Sequence, residues 1–147
     1  MSDPKAQSSV CALLVGDYDS DRLLVHDVFR NFGWRLFEAR DRRSALRCLD
    51  RNPVHVIVAK KKVRDWNWKR LLADLRHHVR PPQLIITSHL ADERLWAEAL
   101  NWGAYDVLAE PLQRDEVERV IASARRHFDL PLRAVRAPAV SPIPDVA

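Results

Sequence analysis

The chain holds 147 residues and 17.0 kDa, enough for one domain with a core of its own. Its 24 Lys and Arg stand against 20 Asp and Glu, a net charge of +4 and a pI near 9.4, so the surface permits contact with nucleic acid or acidic proteins without establishing it. Only 3 glycines and 2 cysteines occur, and the longest apolar run, from Val10 through Cys11 to Val15, is far too short for a bilayer; this excludes a Gly-rich phosphate cradle, a disulfide framework and a membrane span.

Residues 1–10 read as a flexible leader, polar and without the apolar stretch of a secretory signal. Cys11 and Cys48 lie in apolar segments and fit buried thiols in a reducing cytoplasm. A first strand is expected over 12–15, and then a helix with a stripe of Leu24, Val25, Val28, Phe29 and Phe32. Asp19 or Ser20 is its N-cap and Gly33 its left-handed C-cap. A charged strand over 35–39 follows, then a helix on Ala45, Cys48 and Leu49 capped by Asp41. The third strand is expected over 54–58. The third helix carries Trp68, Leu71, Leu72, Leu75 and Val79, capped by Asp65 or Asn67. A strand over 84–87, a helix on Leu95, Trp96, Ala99 and Trp102 ended by Gly103, a charged strand over 106–109 and a helix on Val117, Val120, Ile121, Ala124 and Phe128 complete the pattern. Residues 129–147 hold Pro131, Pro138, Pro142 and Pro144 without a helical stripe, and read as a disordered tail behind a domain spanning 11–128.

Strands alternating with helices predict an α/β domain with a parallel sheet covered on both faces. Right-handed crossovers and this size favour the flavodoxin-like, doubly wound (βα)5 fold with strand order 2-1-3-4-5, the charged second and fifth strands at its edges. The ligand site of such a sheet lies beyond the C-terminal ends of its strands.

Four segments at those strand ends carry a resemblance. Leu13 to Asp19 (LLVGDYD), Pro53 to Ala59 (PVHVIVA), Leu84 to His89 (LIITSH) and Gly103 to Pro111 (GAYDVLAEP) resemble, in order and spacing, the receiver domain of bacterial response regulators. The resemblance covers about residues 11–128. It implies phosphoryl transfer from a histidine kinase to an aspartate at the end of the third strand. It also implies acidic groups after the first strand to hold Mg²⁺, and a hydroxyl and a lysine after the fourth and fifth strands to bind the phosphoryl oxygens.

This chain departs from the family at most of those positions. The nucleophile position falls on Ala59, the first acidic position on Gly16 with only Asp17 beside it, and the lysine position on Glu110; Thr87 keeps the hydroxyl. Asp65, the nearest acid beyond Ala59, reads as a helix cap. Lys60, Lys61 and Lys62 follow Ala59. Lys60 and Lys62 are expected in solvent. Lys61, two past the nucleophile position, either does the same or neutralises Asp17 and Glu110 in place of a metal. The expected arrangement is therefore a degenerate pocket of Gly16, Asp17, Ala59, Lys61, Thr87 and Glu110, with a standing Asp17–Lys61–Glu110 cluster.

The family analogy places receiver contacts on the face of the fourth helix, fifth strand and fifth helix, where Trp96, Trp102 and Val107 are candidate interface residues; for the tryptophans, core packing is equally open. Trp66 is less easily placed inside. Arg42, Arg43, Arg47 and Arg51 on the second helix make the strand-end edge basic, readable as a solvated face or as an anion site. His77 and His78 are adjacent on a helix and so poorly placed to share a metal, and no catalytic Ser-His-Asp or Cys-His set assembles. The reading is a pseudo-receiver: a cytoplasmic, non-enzymatic signalling domain without cofactor or metal, acting through a protein partner or self-association. The alternative is a module whose basic edge binds nucleic acid or another polyanion.

Overall fold

The computed structural model describes residues 9–130, so the expected leader and tail fall mostly outside the described residues. The chain runs β1 (Cys11–Val15), α1 (Ser20–Phe32), β2 (Arg35–Ala39), α2 (Arg42–Arg51), β3 (Val56–Lys60), β4 (Lys62–Val63), β5 (Trp66–Asn67), α3 (Trp68–Leu75), β6 (Gln83–Ser88), α4 (Glu93–Trp102), β7 (Asp106–Ala109) and α5 (Arg114–Phe128). Strands β2-β1-β3-β6-β7 form one parallel sheet in that order, the expected doubly wound arrangement with the charged strands β2 and β7 at its edges.

Alternation along the strands divides the core in two. Leu13, Val15, Ile57, Ala59, Leu84 and Ile86 pack with α2, α3 and α4. Ala12, Leu14, Val56, Val58, Ile85 and Leu108 pack on the other face with α1 and α5. Strands covered on both faces have no polar side, which is why the central ones read as unbroken apolar runs. Val10 is buried beside them. No helix among the described residues is long and apolar enough to cross a membrane.

Gly33 and Gly103 end α1 and α4 in the left-handed conformation, as their positions suggest. Asp41 caps α2 in a reciprocal box with Ser44. Other expectations shift. The cap of α3 is Asn67, whose side chain accepts from the Arg70 N–H; Asp65 lies in a turn instead. That turn closes the short antiparallel hairpin β4–β5, with Arg64 at φ 55°. Helix α3 stops at Leu75, leaving Val79 90% exposed, because Pro81 and Pro82 follow closely and a helix cannot run into them. Strand β3 begins at Val56 and reaches Lys60, two residues later than the pattern suggests. Its pairing with β6 begins at Gln83, just past those prolines, and ends with Lys60 beside Thr87.

The hairpin is anchored by Trp66, which is buried after all. Its indole donates to Asp74 Oδ2 at 2.8 Å, and the Arg42 guanidinium donates to both Asp74 oxygens at 2.9 and 3.2 Å. The Arg42 hydrogen bond holds the Asp74 carboxyl below the usual carboxylate range. One carboxylate thus ties α2, α3 and the hairpin together. Asp74→Ala removes the acceptor of a buried indole, and urea unfolding should show a loss of about 1–3 kcal/mol.

Candidate functional site

The C-terminal ends of β1, β3, β6 and β7 meet at one pocket. Thr87 and Glu110 are the two buried polar or charged side chains among the described residues, and both lie here. The Lys60 ammonium sits 2.6 Å from Glu110 Oε1, with the carboxylate side chain 3% exposed. The same ammonium lies 4.6 Å from the centroid of the Tyr18 ring. The buried Tyr18 hydroxyl is 2.7 Å from Thr87 Oγ1, so each supplies the other's hydrogen-bond partner. His89 Nε2 approaches Glu110 Oε1 at 3.4 Å from the solvent side.

The local backbone explains this closure. Lys60 shares its strand parity with Val56 and Val58, so its stem starts toward the face of α1 and α5, where Tyr18 is packed. Ala59 points to the opposite face and is fully buried. Gly16 makes room: it holds φ +120°, and a Cβ there would stand 2.9 Å from Lys60 Cγ. Any side chain at this position would meet the lysine stem, so Gly16 and Lys60 belong together.

The expected Asp17–Lys61–Glu110 cluster is not formed. Asp17 and Lys61 are exposed, and Lys60, expected in solvent, is the cation that meets Glu110. Lys61 contributes backbone only: its N–H donates to the Thr87 carbonyl at 3.1 Å and its carbonyl accepts from Trp68 N–H at 3.0 Å. Of the expected pocket, the structure brings together Gly16, Thr87 and Glu110. It adds Lys60, expected in solvent, and Tyr18 and His89, to which the sequence assigned no role. Strand parity counted from Val56 was the available signal for Lys60; Tyr18 carried none beyond being an aromatic among acids.

These donors do not suit Mg²⁺, which requires several hard oxygen ligands. Ala59 offers no side-chain oxygen, Asp17 is turned out to solvent, and the one buried carboxylate is already bound by an ammonium.

At the candidate interface, Trp96 is 50% and Trp102 41% exposed. Trp102 stands edge-on to Trp68, with the Lys69 ammonium 5.0 Å from its ring. Val107 is 8% exposed and packs in the core under α4, so it is not an exposed contact residue; its alternate neighbours on β7 take the other sides of the strand.

The fold is that of a receiver domain. The chain superposes on the signal receiver domain of an HD domain-containing protein from Pseudomonas fluorescens Pf-5 with a TM-score of 0.71 at 22% identity, over 82% of this chain and 97% of that one. The receiver domain of the Francisella response regulator 1452 gives 0.67 at 25% identity, over 80% and 98%. The receiver domain of Saccharomyces cerevisiae Ssk1, solved in complex with the histidine phosphotransfer protein Ypd1, gives 0.71 at 13% identity, over 83% and 92%. No protein-family model and no curated protein matches the sequence.

Lys60→Ala leaves a buried carboxylate without its cation, and with the lysine side chain 25% exposed the expected cost is about 2 kcal/mol, below that of a fully buried pair. Lys61→Ala should stay within about 0.5 kcal/mol. Urea melts of the two variants check the order.

Burial pushes the Tyr18 phenol far above its ordinary range; the Thr87 hydrogen bond opposes this, and Glu110 and Asp21 add to it. A raised folded-state pKa gives stability that is complete below the unfolded value of about 10 and falls as pH rises above it. Melts from about pH 9 to about pH 11 should therefore fall more steeply for the wild type than for Tyr18→Phe.

Proposed function

We propose that this domain is a pseudo-receiver, a signalling module that works through protein contact and does not undergo aspartyl phosphorylation. The observation that carries the reading is the Lys60–Glu110 ion pair standing in the strand-end pocket beside Ala59. A phosphoryl group needs a nucleophile, a metal and a free hydroxyl there. This chain puts a methyl group at the strand end, supplies its own cation to its own carboxylate, and engages Thr87 with Tyr18.

The expected consequence is a single resting state. In a phosphorylated receiver the hydroxyl of the fourth strand moves to the phosphoryl group and the far face rearranges. Here Tyr18 holds that hydroxyl, and the small Val107 stays within the core, so the α4–β7–α5 face keeps one shape. Trp96 and Trp102 give this face exposed aromatic anchors for a protein partner or a second copy. The yeast receiver solved with its phosphotransfer protein supports protein contact as a use of this fold. The reading is non-enzymatic and places the domain in the cytoplasm.

Incubation of the full chain with acetyl phosphate and Mg²⁺, followed by intact-mass analysis, should leave the mass unchanged. A stoichiometric, base-labile phosphoryl adduct would falsify the proposal.

A further inference from the structure

A groove of about 870 Å³ opens between α2 and the β4–β5 hairpin. Arg43, Arg47 and Arg51 occupy every fourth position of α2, so they lie on one helix face with about 6 Å of axial rise between neighbours. Arg64 at the hairpin tip and Arg70 on α3 line the same groove. All of these side chains are exposed, and among the described residues none of them forms an ion pair. Arg42 differs, because Asp74 takes it.

Such an array is unfavourable in the free protein. Like charges four residues apart repel, and Arg43 lies in the first turn of α2, where the helix dipole disfavours cations. The acids of the groove, Asp41, Asp50 and Asp65, offset it only in part, because the arginines outnumber them. Asp41 spends its carboxylate on the Ser44 N–H and hydroxyl, while Asp50 and Asp65 are exposed and unpaired among the described residues. Arg64 and Arg43 both act on the Asp41 carboxyl, so the hairpin tip and the start of α2 converge on one spot.

We propose that this groove binds the phosphodiester backbone of double-stranded nucleic acid, without reading its sequence. Guanidinium groups match phosphate geometry with paired donors, and a regular line of them suits a ligand whose charges repeat regularly. The nearest large aromatic, Trp66, is buried with its indole committed to Asp74. The groove therefore has no exposed ring on which an unpaired base would stack, which favours a duplex over a single strand. It likewise has no exposed apolar anchor of the kind an acidic protein partner would engage.

The test uses the full chain, a fluorescein-labelled DNA duplex of about twenty base pairs, and fluorescence anisotropy. Binding is expected at about 50 mM salt and should weaken at least about tenfold by about 200 mM. Joint replacement of Arg43, Arg47 and Arg51 by Gln should weaken binding at least about tenfold and flatten the log–log salt dependence by about 2–3 units, while the urea melt shows the variant folded. No binding at low salt, or an unchanged salt slope in the folded triple variant, overturns the proposal. Equal binding of fluorescein-labelled polyglutamate assigns the groove to an acidic protein and also overturns it.

Discussion

The Lys60–Glu110 ion pair is the constraint around which the strand ends are arranged. Glu110 is buried at the end of β7, and a carboxylate there cannot persist without a cation. Lys60 supplies it from β3, but its stem reaches across only because Gly16 has no side chain and accepts a positive φ. The stem in turn lies over Tyr18, which fills the space and takes up the hydroxyl of Thr87. Residues from four separate strand ends thus depend on one another, so changing one disturbs the rest.

This closure gives the departures from the receiver pattern a common physical sense. Gly16, Ala59 and Glu110 stand where the resemblance implies an acid, a nucleophile and a lysine, and each would be damaging in a metal-binding phosphorylation pocket. Together with Lys60 they form a self-neutralised interior. The receiver fold supplies the frame, and the frame does not dictate the chemistry at its strand ends.

The basic edge divides along similar lines. Lys60, expected in solvent, is consumed inside the pocket. Arg42 is consumed by Asp74 in bracing the hairpin. What stays exposed is an arginine face on α2 opposite Arg64 and Arg70. Surface charge counted along the chain overstates what reaches solvent, because long basic side chains can turn inward to a buried acid.

The sequence by itself determined the fold. Apolar runs, three-and-four spacing on the helices, and glycines at two helix ends are local signals, and packing on both faces of the sheet reinforces them. It also put Ala59 at the end of the third strand, where the receiver resemblance implies a nucleophile. Tertiary structure alone decided that Lys60 would meet Glu110. Parity along β3 turns Lys60 toward α1 and α5, but the buried carboxylate it meets lies fifty residues on, at the end of β7. It decided likewise that Tyr18 would meet Thr87 and that Trp66 would be buried against Asp74. Contacts between residues far apart in sequence have no periodicity to reveal them; they exist only once the sheet has brought its strand ends together.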